Sequence, residues 1–482
     1  MKQIRPCPNG LRLGYNRRRP CDRQPRSLRG RPCNFVPVTL ELFCVVAPRS
    51  HMQHDLSMTE VRPEQVCDVL VVGGGPAGST LASFLREAGW NIAILEKERF
   101  PRFHIGESLL PFNMPLFERL GVMEKLQEIG VVKAGVDFTL PHEDRYASLD
   151  FSQAMRPTPL TSFQVTRSEF DQVLLDKAAG NGVHVFQNMR VTDVELSANQ
   201  PARITAQDKD GERKVWTARF VVDASGRDTL LGRMLGLKQR HPTHNSAAIF
   251  SHFEGVPRRD GRDEGNISIY WFEHGWIWMI PLRNGITSIG AVSSPSYFQN
   301  RNETSAQILL DSLTLCPPAA NRLGNAKMVM PATATGNYSY MCRSMHGDNY
   351  LMVGDAFAFV DPVFSSGVYL AMQSALTGSE AIDAWLRDPR RGRVLLRRHV
   401  KLVRRAIQNY TWFIRRINQP ALQRLFMGPQ NAPRMQAAVL STLAGDVYGN
   451  KRLSIPLLLF KTVYLIYRMF SSKLAPITKE RL

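Results

Sequence analysis

Two stretches of this chain carry residue types and spacings suited to chemistry, and they lie 200 residues apart. In Val71-Val72-Gly73-Gly74-Gly75-Pro76-Ala77-Gly78 an apolar strand runs into a turn. Gly73, Gly75 and Gly78 let the backbone turn tightly, approach a pyrophosphate and pack helix against strand. Ala77 lies in the first turn of the helix, whose N-terminus attracts phosphate. Glu96 closes the next strand 18 residues after Gly78, where an acid accepts hydrogen bonds from a ribose hydroxyl. In Gly275-Trp276-Ile277-Trp278-Met279-Ile280-Pro281 the two indoles and Ile280 share one face at strand spacing, which makes a rigid apolar wall.

Two further strands end in an acid close to a glycine: Phe220-Val221-Val222-Asp223-Ala224-Ser225-Gly226 and Leu351-Met352-Val353-Gly354-Asp355. Such acids suit the ribityl or pyrophosphate region of a flavin dinucleotide. In this order, behind the first motif, they make FAD rather than NAD the expected cofactor. Asp361-Pro362-Val363-Phe364-Ser365-Ser366-Gly367 then opens a helix. Its hydroxyls and backbone N–H groups form an anion pocket at Ser366 and Gly367. Ser365 can lend support, and a plain serine cap of the helix is the competing reading.

On these motifs, residues 66–375 resemble the FAD-dependent aromatic hydroxylases, the fold of p-hydroxybenzoate hydroxylase. Two details are similar to the flavin-dependent halogenase branch: the Gly106-Glu107-Ser108 loop after Pro101-Arg102-Phe103, and Trp276-x-Trp278-x-Ile280-Pro281. The resemblance implies FAD contacts from Arg102, Ser108, Arg167, Asp223, Asp355 and Gly367. It implies that Trp276 and Trp278 keep organic substrate from the flavin and that the anion held at Ser366 and Gly367 is halide. It also implies a catalytic lysine at Lys133, between the Gly-Glu-Ser loop and the next apolar strand. A lysine there meets hypohalous acid either as an ammonium donating a hydrogen bond or as an amine forming a haloamine, and burial makes both states accessible.

Tryptophan halogenases carry a catalytic Glu where this chain has Phe364. The resemblance therefore points to the branch acting on phenols, pyrroles and carrier-bound aryl groups. The implied reaction uses FADH2, dioxygen and chloride or bromide on an electron-rich aromatic ring. No second glycine-rich unit for nicotinamide is visible, so a separate flavin reductase is the expected partner. Competing readings are a flavin hydroxylase or epoxidase, a geranylgeranyl-reductase-like oxidoreductase, and a non-catalytic flavoprotein binding acidic partners.

The elements that must position these residues are legible as an α/β protein. A Rossmann-like FAD-binding layer starts with a strand over 66–72, a helix over about 77–89 and a strand over 91–96. A helix over Arg167–Ala179, with Asp171 one turn after Arg167, leads to a strand at 183–186 and a meander ending at Asp223. Residues 245–295 predict an interleaved antiparallel substrate sheet, and the chain is helical after Gly367. The expected organisation is a basic arm at 1–57, a halogenase module at 58–380 and a helical C-terminal region at 381–482.

At 482 residues, with 44% hydrophobic and 9% aromatic content, the composition is that of an ordinary folded chain. The net charge of +19 is uneven: residues 1–57 hold eleven Lys/Arg against three acids. That arm reads as a misassigned start ahead of Met52 or Met58, as a basic tail or as a signal segment. Residues 385–416 carry eleven Lys/Arg and one acid, either a solvated helix face or a docking surface for an acidic acyl carrier protein. No recognition motif accompanies the charge, so no nucleic acid is expected. Scattered cysteines predict neither a metal site nor disulfides and fit a cytoplasmic setting. No run reaches the roughly 18 uncharged apolar residues of a membrane span. Ile455–Tyr467 reads as an amphipathic terminal helix, and membrane contact is not expected.

Overall fold

Two sheets position the site. In the first, the strand Gln65–Val72 lies parallel to Ile92–Leu95 on one side and to Arg213–Asp223 on the other. His184–Phe186 extends the sheet in parallel beside Ile92–Leu95, and Tyr350–Met352 pairs in parallel with the end of Arg213–Asp223. Strands Ala202–Asp208 and Met189–Glu195 continue it as an antiparallel meander. The parallel strands are apolar and buried, as expected when helices cover both faces.

The second sheet has eight strands. Ser246–Glu254, Ile286–Ser293, Gly275–Pro281 and Ile267–Phe272 form its antiparallel centre. Gly135–Thr139 then joins in parallel beside Ile267–Phe272, a pairing that the sequence spacing does not announce. Trp276, Trp278 and Ile280 face the main core, whereas Ile277 and Met279 face a second core beneath the helices Ser305–Thr314 and Pro317–Leu323.

The computed structural model describes residues 65–143, 145–198, 200–240, 246–428 and 432–471. The basic arm at 1–57 lies outside the described residues. Helices begin where the sequence places proline at the first turn: Pro76, Pro389, Pro420 and Pro433. Proline fixes a helical φ there and lacks an N–H that would go unpaired anyway. The helix Gly367–Arg387 crosses residue 380 without a break and packs on both Pro76–Glu87 and Pro389–Ile414. The expected boundary at 380/381 therefore falls inside a continuous helix. The terminal helix Ser454–Ser471 covers the stretch Ile455–Tyr467 that the sequence reads as helical. Lys451–Phe470 is long and apolar enough to cross a membrane, although only 17% of it is buried.

Candidate active site

One cavity of about 330 Å³ opens between the two sheets, within the range of small-molecule and cofactor sites. Gly73, Gly75, Ala77, Glu96, Arg102, Ser108, Arg167, Trp276, Trp278, Asp355 and Gly367 all line it. Its floor is the glycine turn. Gly73 has φ +102°, and a Cβ there would lie 2.5 Å from the Ala224 carbonyl oxygen. A Cβ on Gly78 would lie 1.9 Å from the Gly73 oxygen, so Gly78 works by letting the first helix seat against the strand rather than by facing the cavity. Buried Glu96 accepts hydrogen bonds from the backbone N–H of Gly74 at 2.7 Å and of Glu98 at 2.9 Å. Those bonds fix its carboxylate at the cavity wall.

Two arginines converge on one buried acid. Arg167 opens its helix and donates to Asp171 through Nε at 2.8 Å and Nη2 at 2.9 Å, while Arg102 reaches the same carboxylate at 3.2 Å. This fork holds both guanidiniums rigidly beside the cavity. Asp355 stands across from them. Burial raises its carboxyl to about 6, with Arg167 and Arg227 pulling the other way.

Asp223 differs from its expected role. Its carboxylate accepts from the backbone N–H groups of Ser225 at 3.0 Å and Leu231 at 2.7 Å, and it does not line the cavity. It shapes the loop 224–228, whose residues do line it. Sequence reasoning named Glu107 only as part of the Gly-Glu-Ser loop and passed over His252. Glu107 lines the cavity and its Oε1 lies 2.7 Å from His252 Nε2, while Oε2 is buried without a partner among the described residues. The two are 145 residues apart and share no motif.

The indoles of Trp276 and Trp278 stand 5.9 Å apart at 46° and form one wall. Trp278 is held by a 3.2 Å hydrogen bond from Nε1 to Ser288 and by Gly290, where a Cβ would lie 2.3 Å from the ring. At the mouth of the helix Gly367–Arg387, Ser365 takes a left-handed φ of +55°. Ser366 occupies the cap position, but its side chain makes no capping bond, and its buried hydroxyl has no partner among the described residues. Gly367 lines the cavity, and a Cβ there would meet nothing within 4 Å.

Lys133 is buried one layer behind the cavity, in the short ribbon of Val131–Lys133 with Ser162–Gln164. Its Nζ donates to Ser108 Oγ and to the Leu109 carbonyl, each at 3.0 Å. Desolvation lowers its pKa from 10.5 to about 7. Ser108 faces both the cavity and the lysine.

A family model described as the FAD binding domain matches residues 66–409. A 1H-pyrrole-2-carbonyl-[peptidyl-carrier protein] chlorinase of Pseudomonas fluorescens is 34% identical over 412 residues, covering 80% of this chain and 91% of that protein. This chain belongs to the flavin-dependent halogenases. A halogenase of Armillaria mellea is 35% identical over 66% of this chain, which spans 65% of that protein's length. The solved structure of the myxobacterial chondrochloren halogenase CndH is 30% identical with a TM-score of 0.70, covering 83% of this chain and all but a little (98%) of that one. The halogenase binds FAD, and the residues in its cavity fit that group: a tight glycine turn, an acid anchored by backbone N–H groups and two fixed guanidiniums.

Proposed function

We propose that this halogenase acts on an electron-rich pyrrole or phenol ring carried by an acidic carrier protein, through halide held at Ser366 and Gly367 and oxidised halogen handled by Lys133. FAD, when bound and reduced, supplies the power to oxidise halide with dioxygen. The sequence carries no second glycine-rich strand–turn–helix for nicotinamide, which favours a separate reductase as the source of reduced flavin. The Ser366 hydroxyl and the N–H groups opening the helix offer a dry, positively polarised seat for a halide ion. The paired indoles give the cavity a polar-free wall that keeps an organic ring and bulk water out.

The observation that carries the proposal is the bonding of Lys133 Nζ. A neutral amine has two N–H groups, and Ser108 Oγ and the Leu109 oxygen take both, leaving its lone pair open. Protonated, it has a third N–H to give. With a pKa of about 7 both states are populated near neutrality. The amine can attack the halogen of hypohalous acid, forming N–X and releasing water. The ammonium can instead donate to the oxygen of that acid and draw halogen toward an aromatic carbon.

The carrier-bound substrate is supported by the reaction named for the Pseudomonas relative and by the helix Pro389–Ile414. There Arg390, Arg393, Arg397, Lys401 and Arg405 are exposed at spacings of three and four, one cationic stripe for an acidic partner. Intact-mass measurement of a pyrrolyl- or phenol-loaded carrier protein with reductase, FAD and bromide tests the function: a bromine isotope doublet is expected. Lys133→Ala should abolish the doublet and leave yellow flavin bound. A gain of one oxygen by the wild type, or normal bromination by the variant, refutes the proposal.

A further inference from the structure

From Val447 to Phe470 the chain holds four Lys/Arg and no acid. Most of that stretch is the helix Ser454–Ser471, which carries two apolar faces where a surface helix normally has one. The first packs on the body: Phe460 and Tyr464 meet Trp412 at 6.2 and 5.3 Å between ring centroids, and Leu453 is buried near the helix start. The second face is exposed among the described residues. Ile455, Leu458, Leu459, Ile466 and Phe470 recur at helical spacing and are each 44% to 72% exposed. Thr462 alone interrupts that stripe, which runs for roughly 22 Å at 1.5 Å per residue. Lys451 and Arg452 are exposed at one end, and Lys461 and Arg468 flank it.

We propose that this stripe is a docking surface for an anionic lipid bilayer, on which the helix lies flat. Apolar side chains in a row, rimmed by cations and without any acid, match a surface with an apolar interior and negatively charged headgroups. A second copy of the chain fits less well, because the same cations would face one another across a two-fold contact. Crossing the bilayer would strip Leu453, Phe460 and Tyr464 from their packing along the whole helix, whereas lying in the interface keeps it. The surface is independent of the cavity and of the carrier-facing stripe, and it would bring the enzyme to a membrane without altering the reaction.

The test is sedimentation of the full-length FAD-loaded protein with sucrose-loaded vesicles of phosphatidylcholine, with and without about one-third phosphatidylglycerol. The protein is expected to pellet with the anionic vesicles and to remain in solution with the neutral ones. The pair Leu458→Glu with Ile466→Glu should weaken that binding at least about tenfold, since two large apolar side chains no longer enter the bilayer. The pair Lys451→Glu with Arg452→Glu should weaken it too. Both pairs should keep bound flavin and full halogenating activity. Failure of the wild type to pellet with either vesicle overturns the proposal, and equal pelleting with neutral vesicles overturns its anionic part. A wild-type dimer in solution that the apolar pair dissociates, without vesicle binding, assigns the face to a second copy and overturns it as well.

Discussion

Replacing Lys133 by methionine should make the folded protein more stable and catalytically dead. The shift of Lys133 from 10.5 to about 7 corresponds to about 5 kcal/mol of disfavoured charge, at 1.36 kcal/mol per unit. Below pH 7 both folded and unfolded chains hold the proton, and the full amount is set against folding. Between pH 7 and 10.5 the unfolded chain binds more protons than the folded one, so this contribution makes stability rise with pH. Methionine has a similar length and no charge, but it leaves Ser108 Oγ and the Leu109 oxygen without their donor, at about 1–2 kcal/mol each. The net expectation at pH 6.5 is a gain of about 1–3 kcal/mol for Lys133→Met. At pH 9.5 most of the charge penalty is gone from the wild type, so the difference should move by about 3–4 kcal/mol in the wild type's favour. Guanidinium unfolding of the flavin-free proteins at both pH values measures this. A wild-type-minus-variant difference that does not change with pH refutes the argument, because it would mean that the buried amine is not desolvated as its surroundings require.

Three other substitutions test the cavity walls. Gly290→Ala puts a methyl 2.3 Å from the Trp278 ring and 2.7 Å from Phe250 Cβ. It should destabilise the protein by about 1–3 kcal/mol and shift product mass from halogenated toward oxygenated, as the indole is pushed off its wall. Gly78→Ala meets the backbone oxygen of Gly73, and the protein should be isolated colourless, which absorbance near the flavin bands reads directly. Ser366→Ala removes a buried hydroxyl that has no partner among the described residues. The halide KM should rise about tenfold, as expected for one lost charge-assisted hydrogen bond, while the thermal midpoint does not fall.

Much of the frame was legible because short-range rules decide it. Strand spacing alone puts Trp276 and Trp278 on one face, and the structure has both rings on the cavity wall. The Arg167–Asp171 pair follows from helical spacing of four, and the glycine turn from steric need at Gly73 and Gly78. Long-range facts were not legible. An acid at a strand end reads the same whether it faces a ligand or bonds its own loop, and Asp223 does the latter. Glu107 finds His252 across 145 residues. The terminal helix was legible as a helix, but which of its faces packs on Trp412 was not.

The Gly106-Glu107-Ser108 tripeptide lies between the cavity and Lys133. Gly106 takes φ +110°, and a Cβ there would lie 3.0 Å from Arg167 Nη1, so only glycine lets the loop pass the guanidinium fork. Glu107 then ties the loop to the second sheet through His252, while its backbone oxygen accepts from Val165 N–H at 2.8 Å and Leu109 N–H donates to Phe163 at 3.0 Å. Those bonds hold the loop against the strand Ser162–Gln164, which is also the partner of Lys133. Ser108 is thereby fixed with the cofactor cavity on one side and the lysine ammonium on the other. The partition at this point is a single residue thick and ends in a hydroxyl. The Ser108 hydroxyl is the group shared by the cavity lining and the lysine. On the proposed function, exclusion of the organic ring would fall to the indoles, and Ser108 would be the residue that joins the cavity to Lys133.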